Sequence, residues 1–261
     1  PAAPSGGRNS GPAVAASGDR VMTVWRALDS GGRPLGVRAA STPLARRLAA
    51  PTMTRTVADG DVSSVAVAAR PDGRFVAVWS AGGDVFARVL DGEGVPQGMA
   101  AVRVNANAAE VQDQPAVAAL GSGEVVVAWR DAARDASDND GTSIRWARLD
   151  AGLGRVGNVG VANSTTAGSQ STPAVVVSGG ASPAVLIAWR DEATGLVRAR
   201  LRTPEDGDVF ARIGRGAGDF AVSDGRASGA PAVTAGGADN ARFAVAWVRE
   251  GGPVMVRQFP R

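Results

Sequence analysis

The chain contains no lysine, histidine, cysteine or tyrosine, so all 28 of its basic residues are arginine. Each absence removes a chemistry. Ser-His-Asp and Cys-His nucleophiles, Schiff-base lysines, and zinc, copper or haem centres built on His or Cys are excluded. Nothing but the N-terminal amine titrates between the carboxylates and the guanidinium groups, so a net charge of only +3 persists across that range. A nucleic-acid partner gains little from that charge. No run approaches the roughly 20 apolar residues that a membrane helix needs, and the chain is read as not transmembrane. Carboxylates remain the one class of side chain able to move protons near neutral pH, and an oxygen-only site for calcium or magnesium the metal chemistry still open.

What is present is a repeat. Pro-Ala-Val is followed about 13 to 16 residues later by a Trp that closes an apolar run, in the pairs Pro12/Trp25, Pro115/Trp129, Pro173/Trp189 and Pro231/Trp247. A fifth copy, Ser64/Trp79, has lost its proline. Successive Trp residues stand roughly 50 to 60 positions apart, the length of one supersecondary unit. Within the third copy, Pro115-Ala-Val-Ala-Ala-Leu120, a Gly121-Ser-Gly123 turn and Glu124-Val-Val-Val-Ala-Trp-Arg130 predict a hairpin. Ser143–Asp150 alternates apolar and polar residues, and Val156–Ala162 follows a Gly-rich turn, giving up to four antiparallel strands per copy. Both alternation sets of residues 125–130 are largely apolar, as expected of a sheet covered on both faces.

Four-stranded antiparallel repeats covered on both faces predict an all-β fold, a β-propeller of about five blades, with a β-solenoid or tandem β-sandwiches as alternatives. The expected layout is a flexible tether over 1–11 and a single domain over 12–261, with repeats at about 12–63, 64–114, 115–172, 173–230 and 231–261. The last copy stops after its third strand, Pro253–Phe259. The tether resembles what a removed export signal or a lipid-anchored end leaves behind.

Gln114-Pro-Ala-Val-Ala-Ala, Val125-Val-Val-Ala-Trp129, Ile144-Arg-Trp-Ala-Arg-Leu-Asp150 and Val161-Ala-Asn-Ser-Thr-Thr-Ala-Gly-Ser-Gln170 together resemble the tandem repeats of large secreted bacterial adhesin-like and surface proteins. That resemblance implies a propeller-like architecture, export to the periplasm, cell surface or medium, and no shared active site. The expectation is therefore an exported, non-enzymatic interaction or structural module that meets a protein partner or the surface of a membrane complex. A multivalent glycan-binding lectin is the first alternative and a glycosidase-like propeller the second.

The candidate sites follow. Trp25, Trp79, Trp129, Trp189 and Trp247 are read chiefly as sheet-to-sheet packing and secondarily as sugar platforms, each following Arg pairing or stacking nearby. The acidic stretch Asp131–Ser143 includes Asp138-Asn-Asp140-Gly141, an alternation of oxygen ligands that suits calcium, though Ala136 stands where an EF-hand would place its first ligand. It also resembles the Asp-box turn of sialidase-like propellers. No other cofactor is expected, since Gly152-Leu-Gly154-Arg-Val-Gly157 fits the dinucleotide pattern but leads into a strand. Residues 30–58 carry Arg33, Arg38, Arg46, Arg47 and Arg55 and no acid. Within them, residues 41–51 predict a short helix with Thr42 as N-cap and Pro43 at its first position. Arg38, Arg46, Arg47 and Arg55 are the partner-docking candidates. Glu93, Glu124, Glu192, Glu205 and Glu250 fall in predicted turns and Glu110 in a link, with no convergence at one rim visible in sequence.

Overall fold

A computed structural model of the chain describes residues 8–45, 53–135, 137–207, 218–236 and 242–260. These residues form five antiparallel sheets in chain order and no helix. Sheet 1 holds β1 (Arg8–Ser17), β2 (Arg20–Leu28), β3 (Pro34–Pro43) and β4 (Thr54–Asp59). Sheet 2 holds β5 (Val62–Ala69), β6 (Phe75–Ala81), β7 (Asp84–Leu90) and β8 (Val102–Arg103). Sheet 3 is β9 (Gln112–Ala119), β10 (Val125–Asp131), β11 (Ser143–Leu149) and β12 (Arg155–Val161). Sheet 4 is β13 (Gln170–Val177), β14 (Val185–Asp191), β15 (Val197–Arg202) and β16 (Phe220–Ala221). Sheet 5 has three strands, β17 (Ala227–Gly236), β18 (Arg242–Arg249) and β19 (Val254–Pro260). The first strands β1, β5, β9, β13 and β17 touch in succession, which makes them the inner strands of a β-propeller.

The proline of each repeat sits where its inner strand bulges. Ser10 pairs with Arg26 and Ala13 with Val24, leaving Gly11 and Pro12 together opposite Trp25. Gln114 and Pro115 oppose Trp129, and Thr172 and Pro173 oppose Trp189, by the same two-against-one count. In sheet 5 Gly229, Ala230 and Pro231 face Trp247. A bulge is the position in a strand interior that tolerates a residue with no N–H. The left-handed turn it needs falls just before the proline, on Gly11, Gln114 and Thr172 at φ of 56°, 52° and 51°, and on Gly229 at 80°. Sheet 2 lacks the proline, and there Trp79 pairs directly with Val65.

Those tryptophans are between 0% and 5% exposed. Residues of the second strand alternate between the two neighbouring sheets, and the Trp side meets the preceding one. Phe75, Ala77 and Trp79 join Met22, Val24 and Val37 of sheet 1, while Val76 and Val78 face Val125, Val127 and Trp129 of sheet 3. The same relation sets Val126, Ala128 and Trp146 against Val185, Ile187 and Trp189, and Leu186 and Ala188 against Phe243, Val245 and Trp247. Four apolar interfaces thus bind the five sheets in series. Among the described residues no such cluster joins sheet 5 to sheet 1, and Val14, Val254 and Val256 on those end sheets are 65%, 68% and 61% exposed.

Several expectations change. Arg8–Gly11, read as tether, begin β1. The helix predicted from residue 41 is not formed at its start, since Thr42 and Pro43 are in β3 and pair with Val21 and Arg20. A strand end accepts the proline as readily as a helix start does, and cross-strand pairing decides between them. Residues 46–51 of that prediction lie outside the described residues. The glycine run at 152–157 forms the β11–β12 turn and the start of β12, and in the turn Asp150 accepts the Gly152 and Gly154 N–H groups at 2.8 Å each.

Trp189→Ala is expected to lower the unfolding free energy by about 3–5 kcal/mol in a urea titration, the range for emptying a buried aromatic site. Thr172→Gly should act oppositely, by about 0.5–1 kcal/mol, because it relieves a β-branched residue held at positive φ and outweighs the entropy glycine adds to the unfolded chain.

Candidate functional site

The sheets have one rim at which the inner strands begin and the second strands end, and polar groups collect there. Inner strands are fastened to the preceding sheet by main-chain bonds at this rim, Gln112 N–H to Gly83 O at 2.8 Å, Gln170 N–H to Thr142 O at 2.9 Å and Ala227 N–H to Gly195 O at 2.8 Å. Beneath them lies a buried amide knot. Asn105 accepts the Val85 N–H at 2.9 Å and donates to Gln112 Oε1 at 3.1 Å, and Gln112 donates to Asp131 Oδ1 at 3.3 Å. Asn163 repeats the arrangement one sheet later, accepting from Ile144 N–H at 2.9 Å. Such knots fix the loops above them, since each buried polar atom freed from its partner would cost about 1–3 kcal/mol.

Carboxylates and arginines alternate on this support. Both oxygens of Asp113 accept from Arg130, Nε at 2.7 Å and Nη2 at 2.6 Å. Glu192, from the next sheet, accepts from the Ser171 hydroxyl and from Arg190 Nη1. The Arg130 guanidinium is pushed above its usual range, chiefly by the hydrogen bond to Asp113 and further by the charges of Asp113 and Glu192. Arg130 therefore feels carboxylates of two sheets at once. Bidentate pairing of this kind fixes orientation as well as charge.

Beside this row a cavity of about 670 Å³ opens between the 104–112 link and the β10–β11 hairpin. Asn107, Glu110, Arg134, Thr142 and Ser169 line it with their neighbours. Glu110 is held at φ 62°, a conformation costly for a residue with a Cβ and concentrated at functional sites. Its carboxylate has no hydrogen bond or ion pair among the described residues, while Glu192 is tied to the lining through its N–H to Ser169 O at 2.8 Å. The size and polar lining suit a small polar ligand.

The residues singled out in sequence distribute unevenly. Asp138 and Asp140 do lie in the hairpin beside the cavity, but Asp138 is buried and accepts from Asn163 at 2.7 Å, and Asp140 accepts the Gly168 N–H at 2.9 Å. Burial pushes the Asp138 carboxyl up. Among the described residues no three His, Cys, Asp or Glu side chains converge closely enough to hold a metal ion. The five repeat tryptophans are buried, Trp79, Trp129, Trp189 and Trp247 between neighbouring sheets as the packing reading expects, while Trp25 lines a cavity of about 210 Å³ with Asn9, Ser10, Pro12 and Thr23. Arg38 is in β3, bonded to Val37 O and Ala58 O at 3.1 Å each and to Asp59 at 3.0 Å, and Arg55 is in β4. Arg46 and Arg47 fall outside the described residues. Sequence reasoning missed Asp113 and Arg134 and passed over Glu110 and Glu192; the left-handed position of Glu110 had no sequence signal, but an Asp two places before the repeat proline, facing an Arg just after the Trp, was available.

No protein-family model matches this chain, and no curated protein matches it. Solved structures do. An α-L-arabinanase of Penicillium chrysogenum, solved with arabinobiose, is 10% identical with a TM-score of 0.59 over 92% of this chain and 71% of its own. A protein of unknown function from Dyadobacter fermentans is 14% identical, TM-score 0.61, covering 95% and 74%. A thermostable family-43 glycoside hydrolase is 11% identical, TM-score 0.50, covering 97% and 89%. At these identities the likeness establishes the propeller fold with its four-stranded repeats; the resemblance to adhesin-like surface repeats finds no match beyond that architecture. The expectation of a non-enzymatic interaction module is overturned. It rested on that resemblance and on carboxylates scattered among turns, whereas the scaffold is one shared with glycoside hydrolases and the fold gathers Glu110, Asp113 and Glu192 at one rim.

The hairpin supplies a pH dependence. Asp135 is held well below the usual carboxylate range, at about 2, chiefly by the Ser137 hydroxyl, with Arg145 adding to it. A lowered carboxylate contributes stability above its unfolded value near 4, and loses it as the pH falls toward 2. Asp135→Asn is expected to cost at most about 1 kcal/mol at pH 5, solvent screening the half-exposed pair, and progressively less as the pH falls through 2. Thermal unfolding across that range checks it.

Proposed function

We propose that the chain is a glycoside hydrolase whose substrate occupies the rim cavity between sheets 2, 3 and 4. The observation that carries this reading is that Glu110, in the link between sheets 2 and 3, lines the cavity, while Glu192 of sheet 4 is fastened to its wall through the main-chain N–H to Ser169 O. Glycoside hydrolysis needs two carboxyl groups about a scissile bond, one to protonate the leaving oxygen and one to activate water or attack the sugar. In a chain without His, Cys, Lys or Tyr, carboxylates must fill both roles. Glu110, bound to no cation, is the proton donor. Glu192, oriented by Ser171 and Arg190, is the carboxylate that acts on water. Asp113 and Arg130 hold the charge pattern between them, and Arg134, as a donor, and Asn107 line the cavity where they orient hydroxyl groups. The hydrolases that share the fold, an arabinanase among them, support pentose-containing glycans as the first substrates to test.

Release of nitrophenol from aryl α-L-arabinofuranosides and β-D-xylosides is the assay. Turnover is expected, with kcat reduced about 10²- to 10⁴-fold in Glu110→Gln and in Glu192→Gln while both variants keep the native circular dichroism spectrum. A protein inert toward aryl glycosides and toward arabinan and xylan, or one whose turnover survives both changes, would be inconsistent with the proposal.

A further inference from the structure

Sheet 5 differs from its neighbours at the outer edge. In sheets 2, 3 and 4 a fourth strand follows the third, and just past it the chain locks on in one recurring way. The N–H groups of Val104, Ala162 and Val222 donate to the carbonyls of Val85, Ile144 and Val197, at 2.8 Å each. The next side chain, Asn105, Asn163 or Ser223, accepts the N–H of that same third-strand residue at 2.9 Å. Val104, Ala162 and Val222 are fully buried by this arrangement. The lock is a short extended run that closes on Val or Ala followed by Asn or Ser.

Val254 is the equivalent residue of sheet 5. It pairs with Val248, the residue after the repeat Trp, as Val85 pairs with Ser80, Ile144 with Arg130 and Val197 with Arg190. Main-chain bonding directions alternate along a strand, so Val254, Val256 and Gln258 all turn their N–H and carbonyl groups away from β18. Among the described residues no strand lies beyond β19, although β19 pairs with β18 at all seven of its positions. A free edge of that length is a template for strand addition. It is also basic: Arg257, and Arg242 on the adjoining strand, form no ion pair with any described residue, and Asp224, whose charge Arg257 feels, is already held by Arg249 at 2.7 Å. In sheet 4 the outer strand pairs Ala221 with Arg198 and Phe220 with Ala199, which brings Asp219, one step further back, opposite Arg200, the counterpart of Arg257. An acid at the same place in an added strand would stand opposite Arg257.

We propose that the outer edge of β19 binds an extended segment of a second, different protein and takes it up as a fourth antiparallel strand. The segment carries an acid, then two strand residues, then a small apolar residue followed by Ser or Asn, the pattern of Asp219-Phe-Ala-Val-Ser223. A second copy of this chain is the poorer occupant, because its own free edge, Val254-Met-Val-Arg-Gln-Phe259, contains no acid and would set arginine against arginine. The proposal stands apart from the rim cavity and its chemistry.

A fluorescently labelled peptide copying residues 218–225, Gly-Asp-Phe-Ala-Val-Ser-Asp-Gly, is the probe, titrated with the full chain and followed by anisotropy. Saturable binding is expected. Val256→Pro should weaken it about tenfold or more, since proline deletes an outward N–H and no bond to β18, whereas Val256→Thr, which keeps the N–H, should leave it unchanged. Arg257→Gln, or Asn in place of the first Asp of the peptide, should each weaken it about two- to fivefold. Circular dichroism checks that the proline variant folds, and Val254→Pro, which removes the neighbouring outward N–H, replaces it if it does not. Absence of binding, or binding that the proline variant retains in full, overturns the proposal. So does a concentration-dependent dimer in sedimentation that Val256→Pro abolishes, which would give the edge to a second copy.

Discussion

A proline in an inner strand is the constraint on which the rest of the architecture depends. It cannot donate to the ladder, so the strand must bulge, and the bulge sets two residues, or three in sheet 5, opposite one tryptophan. That count sets the register of the inner strand against the second strand on either side of the Trp; Trp79 of sheet 2, which lacks the proline, meets the preceding sheet all the same. A one-residue slip would send every side chain to the other face and separate all the interlocking valines and tryptophans. The polar residues just before the bulge, Ser10, Asp113 and Ser171, stand across from the residues just after the Trp, Arg26, Arg130 and Arg190. The rim chemistry is therefore held in register by the same feature that holds the core.

This explains what could be read from sequence. Pro and Trp of one repeat are partners across a single hairpin, so their spacing is local and survives as a pattern. Trp25 stays in the second strand for that reason, as its distance from Pro12 implied. Glu110 and Glu192 stand at the same rim because of how sheets 2, 3 and 4 are set against one another, which no spacing records. The misread helix start at Thr42 has a similar origin: capping preferences are local, and nine residues of pairing with β2 outweighed them.

Exclusive use of arginine acquires a structural role. Guanidinium groups cross from sheet to sheet to reach main-chain carbonyls, Arg26 to Val62 and Ser63, Arg70 to Ala151, Arg88 to Val57, Arg155 to Val104 and Arg190 to Ala227. Five donors in a rigid plane can serve a carbonyl and a carboxylate together, as Arg190 does with Ala227 and Glu192. A lysine ammonium at the end of a flexible stem would hold one such bond less firmly. The sheets meet through apolar faces inside and through these arginine bridges outside.

The unmatched faces of the first and last sheets give the assembly a direction. Every internal interface joins a Trp-bearing face to the opposite face of the sheet before it, and among the described residues no apolar cluster joins the Trp25-bearing face of sheet 1 to the face of sheet 5 that carries Ala244, Ala246 and Val248. The molecule has a head and a tail, like a unit in a polar filament. Because each sheet meets only its neighbours, copying one repeat would lengthen the arc without disturbing any contact already made, and the extra sheet would expose the same two ends again. Duplication is then nearly neutral for folding, and copies are free to diverge one at a time, as the third has done with its long acidic hairpin.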